Sequence, residues 1–365
     1  MSKARVYYSI DEIDKRDADF NIIYGERSNG KSYSVKHSKG VEHYLKTGKR
    51  FILMRRLREE IANDKVEAYF ADVDIYKLTN GRYNCISVYR KAIYFSNYDF
   101  ETTKTKRGEK IGYAVALSTE QNYAGGSYLD VDIIIFEEFM SRSVYLNSEP
   151  DKLMNFYCTV DRKRHIVKMY LVGNTISRVN PYLEDWGLLD IVRHQKQGTI
   201  EEIDTFTGTY TDEGDPINVK IAIEYCRDSG RSSFTIGKHK DMLNKGSWQA
   251  DPQPRLTKSK NLYKIIYRVG FEYKSFRFIG ELLRDKDYYC WFIYPYKKEF
   301  DNNMLIFSDK IKENKHWQRN IYDITLKAEK LQRLLYTFRE SNIFYSDDLT
   351  GTEFKEAIDF SIRKW

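Results

Sequence analysis

Long apolar segments are missing from this sequence. A helix that crosses a membrane needs about 18 or more apolar residues in succession, and no such run occurs in the chain. Residues 1–5 are polar and lack the apolar core of a secretory signal. We therefore expect no membrane partner and no secretion, and we expect the protein to act in the cytoplasm.

Cysteine is sparse. The four cysteines are far apart, and none belongs to a CxxC pair or has a histidine at zinc-ligand spacing. This pattern predicts reduced thiols rather than a structural zinc site. The guanine motif Asn-Lys-x-Asp is also absent, which argues against a GTPase.

Neither sign of charge dominates. The chain has 60 Lys and Arg against 53 Asp and Glu, for a net charge of +7. This excess permits a polyanionic partner without requiring one. With 365 residues, of which 41% are hydrophobic, the chain can form two domains with cores of their own.

The first half alternates between short apolar runs and segments with helical periodicity. Strands spaced by helices in this way predict an α/β fold, a parallel sheet with helices on both faces. The β-branched run at 131–136 is the strongest strand signal. The other predicted strands are 20–24, 50–54, 85–96 (a hairpin turning at Arg90-Lys91), 112–117 and 167–172, and the predicted helices are 31–45, 57–66 and 151–161.

The second half has a different composition. Residues 198–217 are polar without a clear period, and Asp-Pro-Gln-Pro at 251–254 is typical of a linker. Beyond it we predict antiparallel strands and one final helix, at 262–269, 271–279, 288–294 and 322–341. We therefore divide the chain into a domain over 1–195, a connecting region over 196–254 and a smaller α+β domain over 255–365.

A phosphate-binding loop follows the first predicted strand. Residues 25–32 match G-x-x-x-x-G-K-[ST] at every fixed position, which predicts a P-loop NTPase of the RecA-like (ASCE) type. The glycines let backbone N–H groups turn toward phosphate oxygens, and Lys31 is expected to reach the β- and γ-phosphates of ATP while Ser32 binds Mg²⁺. The other nucleotide contacts are assigned to Gly25, Arg27, Ser28, Asn29 and Gly30. The alternative is a glycine-rich turn beside a surface lysine.

Two adjacent carboxylates end the strand at 131–136. A P-loop enzyme needs one carboxylate to hold Mg²⁺ and a second to activate the attacking water. We assign Glu137 to the metal and Glu138 to the general base. Aspartate is more usual at the first position, and the extra methylene of Glu137 moves its carboxylate outward. The alternative is a pair of glutamates in solvent.

Polar residues on either side of the strand at 167–172 are further candidates. Asn174 follows the strand, where it can sense the γ-phosphate or cap a turn. Arg162 and Arg164 precede the strand, and each is either a surface arginine or an arginine finger. Such a finger stabilises transition-state charge and is often supplied by a neighbouring subunit.

Two groups of cations are candidates for DNA contact. One group lies in a predicted glycine-containing loop, where cations can follow a phosphate backbone without reading sequence or can simply face solvent. The other group follows the second strand, and one of its members could touch nucleotide instead. The first group is Lys104, Lys106, Arg107 and Lys110, and the second is Arg55, Arg56 and Arg58, of which we favour Arg56 for DNA.

Several stretches, in this order, resemble the DNA-packaging ATPases of small tailed phages with protein-primed genomes (podoviruses of the Salasmaviridae type), which are compact relatives of terminase large subunits. The acidic strand differs in one respect, because that family more often has Asp before Glu. The resemblance covers about residues 15–185, and few residues match the family after that. The matching stretches are 21–33 with Arg27, 51–56 with its twin arginines, 135–139, 159–164, Asn174 and 180–182.

The resemblance implies an ATP-hydrolysing ring motor, expected to be a pentamer, that translocates double-stranded DNA into a procapsid. It implies attachment to the phage portal in the host cytoplasm, and it places the arginine finger at Arg162, with Arg164 as the alternative. It further implies that the domain over 255–365 is a vestigial RNase H-like nuclease. The acidic residues Glu281, Asp285 and Asp287 accordingly favour a solvated hairpin turn over a two-metal site.

Two other functions stay open. One is a different nucleic-acid-dependent P-loop ATPase, such as a helicase-like motor, which would separate strands. The other is a DNA-binding assembly protein in which the P-loop only stabilises the fold.

Overall fold

The computed structural model describes residues 7–123, 125–141, 145–210, 213–230, 247–273, 276–301, 303–309, 317–318, 336–339 and 342–363. By their contacts these residues form two units. The first unit holds residues 7–176, 194–230 and 247, and the second holds 177–193 and the described residues from 248 onward. No helix in the described part of the chain is long and apolar enough to cross a membrane.

A nine-stranded sheet forms the centre of the first unit. The strands are β1 Phe20–Gly25, β2 Arg50–Arg55, β3 Cys85–Tyr89, β4 Ala92–Asp99, β5 Lys104–Ala116, β6 Val131–Glu137, β7 Lys168–Asn174, β8 Ile200–Tyr210 and β9 Pro216–Tyr225. Their order in the sheet is β3-β4-β5-β2-β6-β7-β1-β9-β8. The six strands from β5 to β9 in this order pair in parallel, while β3 and β4 at one edge and β8 at the other pair antiparallel. The predicted α/β fold is confirmed, with a sheet that is parallel at its centre and antiparallel at both edges.

Short helical segments join these strands. The long predicted helix after the P-loop is continuous over 31–47 but contains a π-helical stretch, and it ends where Gly48 adopts a left-handed conformation (φ 70°). The α-helices are α1 Asp11–Asp14, α2 Lys31–Val35, α3 His43–Thr47, α4 Asn63–Phe70, α5 Ile75–Leu78, α6 Glu149–Asp161, α7 Pro181–Asp185, α8 Leu189–His194 and α9 Asp348–Arg363. The π-helix is Lys36–Glu42, and 3₁₀ turns are Arg58–Ile61, Leu117–Tyr123 and Lys260–Leu262.

Two predictions about connecting segments differ from the structure. Ile200–Tyr210 and Pro216–Tyr225, assigned to a connecting region, form β8 and β9, because the short buried run at Ile221–Ile223 places β9 beside β1. The cations from Lys104 to Lys110 lie on β5 rather than in a loop, since β5 extends outward in a long hairpin with β4.

The predicted boundary near residue 195 also differs. Residues 177–193 belong to the second unit, where Arg178 lies 3.2 Å from Glu353 in an ion pair and the Ser177 hydroxyl donates to Glu356 at 2.6 Å. These contacts join residues more than 170 positions apart, so no local sequence pattern indicates them.

A six-stranded sheet forms the second unit. The three predicted antiparallel strands are confirmed as a meander, although the first continues through Gly270 and ends at Tyr273. The order is β14-β13-β10-β11-β12-β15, with β10 Lys264–Tyr273, β11 Phe276–Asp285, β12 Tyr288–Pro295, β13 Leu305–Ser308, β14 Trp317–Gln318 and β15 Ile343–Tyr345. Phe354 of α9 meets Phe271 and Phe278 edge-on, with ring centroids 5.0 and 5.2 Å away. Most of the helix predicted at 322–341 lies outside the described residues.

Candidate active site

The carboxyl ends of three parallel strands meet at one edge of the first sheet. Gly25 at the end of β1 pairs in register with Asn174 at the end of β7, and Glu137 at the end of β6 pairs with Val172. A cleft of about 1330 Å³ opens at this edge. Ligands of open α/β sheets bind outside the carboxyl ends of strands, so the fold places the predicted residues where such a ligand would lie.

The P-loop has the backbone geometry that its glycines allow. Gly30 has φ 98° immediately before α2, and a side chain there would be strained. Gly25 is required for a different reason, because a Cβ at this position would lie 2.9 Å from the Cβ of the buried Cys226. The loop therefore depends on β9, which brings Cys226 under the start of the P-loop.

Lys31 is buried at the base of the cleft. Its ammonium group donates to the carbonyl of Glu26, to Asn29 Oδ1 at 3.2 Å and to Asn174 Oδ1 at 3.3 Å. Burial lowers the pKa of Lys31, and the Glu137 carboxylate is among the charges that oppose this effect. The hydrogen-bond acceptors are neutral oxygens, so charged phosphate oxygens would bind the ammonium group more strongly.

Ser32 and Glu137 lie side by side. The Ser32 hydroxyl donates to Glu137 Oε2 at 2.9 Å, and the Tyr69 phenol donates to Glu137 Oε1 at 2.7 Å. Burial raises the pKa of Glu137, while the bonds from Tyr69 and Ser32 act in the opposite direction. A hydroxyl and a carboxylate at the same point form an oxygen donor set that suits Mg²⁺, which typically takes one or two protein ligands together with phosphates.

Glu138 leaves the buried face of the sheet. Its φ of 56° turns the chain at the end of β6, so its side chain is 60% exposed beside the cleft. Arg55 at the end of β2 donates to Glu138 Oε2 at 2.9 Å and also to Glu60 at 3.1 Å. Arg55 therefore holds the candidate base Glu138, a contact that the sequence did not indicate.

Arg56, which we assigned to DNA, is buried in the protein. Its guanidinium group lies 3.0 Å from both carboxylate oxygens of Glu149, and it donates to the carbonyls of Glu138 and Phe139 at 3.2 and 2.6 Å. Only 8% of the Arg56 side chain and none of the Glu149 side chain is exposed. The assignment is wrong for this conformation, because DNA cannot reach a guanidinium group enclosed in this way.

The two candidate finger arginines have different environments. Arg162 is exposed at the end of α6, with φ 49° and one bond to the carbonyl of Gly126 at 2.6 Å. Arg164 is half-buried and binds backbone carbonyls of Tyr128, Leu129, Val131, Val160 and Asp161. Of the two, Arg162 has the side chain that a second molecule can reach.

The remaining DNA candidates form a basic strand. Lys104, Lys106 and Arg107 on β5 are exposed, and Lys110 is half-buried. The Arg107 guanidinium group lies 4.2 Å from the centre of the Tyr89 ring, and the Lys110 ammonium group lies 4.2 Å from that of Tyr113. Both cations lie against ring faces, and neither forms an ion pair with a carboxylate in the part of the chain that the structure describes, so their charges can attract a polyanion.

The acidic residues of the second unit do not converge. Glu281 is buried on β11, where it accepts from Arg268 at 2.8 Å and from Tyr294 at 3.0 Å. Asp285 forms an ion pair with Lys258. The left-handed backbone of Lys286 (φ 55°) confirms the predicted hairpin turn. Among the described residues, no group of three or more His, Cys, Asp and Glu side chains could hold a metal ion.

Residues 1–197 match the family model of the podovirus DNA encapsidation protein (Gp16), and this span is more than half of the chain. The chain belongs to that family. It is 30% identical over 184 residues to the DNA packaging protein of Bacillus phage phi29, a match that covers 48% of this chain and 49% of that protein. The corresponding protein of Bacillus phage B103 is 30% identical over 179 residues, which cover 47% and 49% of the two chains. The chain therefore spans about half the length of the curated relatives it matches.

A solved structure extends the similarity in fold. A chain of the bacteriophage Phi-29 viral genome packaging motor assembly aligns with 97% of this chain and 99% of its own length, with a TM-score of 0.56 and 20% identity. At this identity the likeness concerns the fold, and it includes the second unit. The family resemblance predicted from the motifs is thus confirmed.

Proposed function

We propose that this chain is the ATP-hydrolysing subunit of a motor that moves double-stranded DNA into a procapsid. The observation that carries the proposal is the meeting of three distant segments at one cleft. Lys31 contacts Asn174, and Ser32 contacts Glu137, although 143 and 105 positions separate the partners. Membership of the DNA encapsidation family supports the substrate and the procapsid partner.

The residues of the cleft divide the chemistry of ATP hydrolysis among them. P-loop N–H groups and Lys31 bind the phosphates, and Asn174 responds to the γ-phosphate because that group competes with it for Lys31. Ser32 and Glu137 would hold Mg²⁺, which when bound neutralises charge on the phosphate oxygens. Glu138 accepts the proton of the attacking water once it turns from Arg55 toward the cleft.

A ring of subunits would explain why Arg162 lies far from the cleft of its own chain. It lies before β7, whereas Asn174 lies at the far end of that strand. Seven residues of strand, at about 3.3 Å each, separate the two ends by roughly 20 Å. An arginine side chain does not cross this distance, so Arg162 would complete the active site of a neighbouring subunit. We propose a homo-oligomeric ring, with five subunits as the expected number.

The exposed cations of β5 are proposed to contact DNA. Lys104, Lys106 and Arg107 lie within four residues on one hairpin, so they can bind successive phosphates without reading base edges.

The second unit is proposed as a vestigial RNase H-like domain that docks on the phage portal. The pairing of Glu281 with Arg268, in place of an acidic cluster, supports a role other than cleavage.

The proposal is tested by steady-state ATP hydrolysis over a range of protein concentration, salt and double-stranded DNA, with Lys31→Ala as the inactive control. We expect the rate per subunit to rise with protein concentration and with DNA, and to fall with salt. A rate per subunit that does not depend on protein concentration or on DNA would contradict the proposed motor function. Strand displacement by the DNA-dependent enzyme would instead indicate a helicase-like activity.

A further inference from the structure

Glu137 raises a geometric problem that an aspartate would not have. Its side chain contains one more methylene, and therefore one more rotatable bond, between the strand and the carboxylate. Mg²⁺ accepts ligands only near ideal octahedral positions at about 2.0–2.1 Å. A longer side chain at this position needs an additional contact that fixes the plane of its carboxylate.

The structure supplies that contact from a different element. The Tyr69 phenol on α4 donates to Glu137 Oε1 at 2.7 Å, while Ser32 on α2 donates to Oε2 at 2.9 Å. Each carboxylate oxygen is thus held by one hydroxyl, and the two hydroxyls come from different elements. Because the carboxylate is fixed at both oxygens, it has little freedom to rotate.

Tyr69 is in turn held by the helix that carries the P-loop lysine. The Lys36 ammonium group lies 4.5 Å from the centre of the Tyr69 ring and donates to the Tyr69 carbonyl. Lys36 is also paired with Asp72, and only 6% of its side chain is exposed. Lys36 therefore contacts both the ring face and the backbone of Tyr69, which favours a defined position of the phenol against Glu137.

We propose that Tyr69 is a positioning residue for the metal carboxylate, and that Tyr69 and Glu137 together replace the shorter aspartate. The phenol holds Oε1, which leaves Oε2 and the Ser32 hydroxyl directed to the cation. Hydrogen bonds to metal-binding carboxylates typically change metal affinity by about 10- to 100-fold. This inference rests on the proposed function, since it requires that the cleft binds ATP with Mg²⁺.

The test is binding of the non-hydrolysable analogue adenylyl imidodiphosphate to the full chain, measured by calorimetry in EDTA and at increasing Mg²⁺. For Tyr69→Phe we expect unchanged affinity in EDTA and a need for about tenfold more Mg²⁺ at half-saturation. Tyr170→Phe is the matched control, because it removes a phenol-to-carboxylate bond of 2.8 Å, to Asp14, from a residue that does not line the cleft.

A double substitution separates positioning from general stability. In Glu137→Asp the carboxylate retracts beyond reach of the phenol, so Tyr69→Phe should add no further loss in that background. Equal losses from Tyr69→Phe in both backgrounds, or an equal loss in EDTA, would assign Tyr69 a structural role and overturn the inference. An unchanged Mg²⁺ requirement in Tyr69→Phe would also overturn it. Failure of the unsubstituted chain to bind the analogue would instead contradict the proposed function.

Discussion

Arg55 and Glu138, which stand 83 positions apart in the sequence, are joined by a hydrogen bond of 2.9 Å at the mouth of the phosphate cleft. The bond keeps the candidate base beside β2 rather than over the P-loop. Because most of the Glu138 side chain is exposed, the pair can open at low cost. Under the proposed mechanism, opening of this pair would free Glu138 to act as the base.

Arg55→Ala should raise ATP hydrolysis in the absence of DNA. Removing the cation frees Glu138 for the cleft, and an ion pair of this exposure contributes about 0.2–1 kcal/mol, so the increase should not exceed about fivefold. Stimulation by DNA should become smaller because the starting rate is higher. Arg58→Ala, at an exposed neighbouring position, is the control, and a fall in the basal rate would instead give Arg55 a direct role in nucleotide binding.

Glu138→Gln should bind ATP normally and fail to hydrolyse it. The amide keeps the size of the side chain but cannot take a proton from water, so loss of a general base should cost about 10²- to 10⁴-fold in turnover. Equilibrium binding and single-turnover hydrolysis, measured on the same preparation, check the two parts. Normal turnover by this variant would move the base to Glu137.

Arg162→Ala and Arg164→Ala should fail in different ways. Arg164 holds five carbonyl groups in place, so its loss should lower the free energy of unfolding by roughly 2–3 kcal/mol. Arg162 makes one such bond, so its variant should fold normally and lose hydrolysis. Mixed with Lys31→Ala, the Arg162 variant should regain some activity, since a Lys31→Ala subunit keeps Arg162 and can complete the Lys31-containing site of an Arg162→Ala neighbour. No recovery at any mixing ratio would count against action between subunits.

Arg56→Ala should destabilise the protein rather than weaken DNA binding. Truncating one partner of a buried ion pair leaves the Glu149 carboxylate uncompensated, which typically costs about 3–5 kcal/mol. Urea unfolding of this variant, compared with Arg58→Ala, measures the loss. DNA affinity that fell in a variant of unchanged stability would restore the original assignment of Arg56.

The pH dependence of stability should change in Glu356→Gln. Burial raises the pKa of Glu356 to about 7, from an ordinary value of 4.5. Between pH 4.5 and pH 7 Glu356 is protonated in the folded chain and ionised in the unfolded chain. This group therefore lowers the free energy of unfolding as pH rises, and the full loss is reached above about pH 7. Glutamine removes that cost, so it should stabilise the protein by up to roughly 3 kcal/mol at pH 8 and little at pH 4.5. Equal effects in urea unfolding at both pH values would contradict the assignment.

Much of the phosphate site could be predicted from sequence because its residues follow strands. Gly25, Glu137 and Asn174 each end a short apolar run, and parallel strands bring such ends to one edge. Tyr69 lies within α4 and had no such signal. Arg55 does end a strand, but neither its contact with Glu138 nor that of Tyr69 with Glu137 was predicted, because both depend on how α4 and β2 pack beside β6.

The connecting region shows a second limit of sequence reasoning. The outer parts of β8 and β9 are polar and exposed, so the short buried run at 221–223 was not sufficient to predict a strand. The basic segment at 104–110 was assigned to a loop for a related reason. An exposed hairpin has no buried face, so the alternation that identifies a strand is weak there.

The place of β9 has a consequence for biosynthesis. β1, which leads into the P-loop, lies between β7 and β9, and Gly25 packs against Cys226. A ribosome has therefore made more than two hundred residues before the nucleotide pocket can close around its first strand. Until then β1 has an unpaired edge in the nascent chain. Chaperone engagement at this stage would protect the segment on which all later chemistry depends.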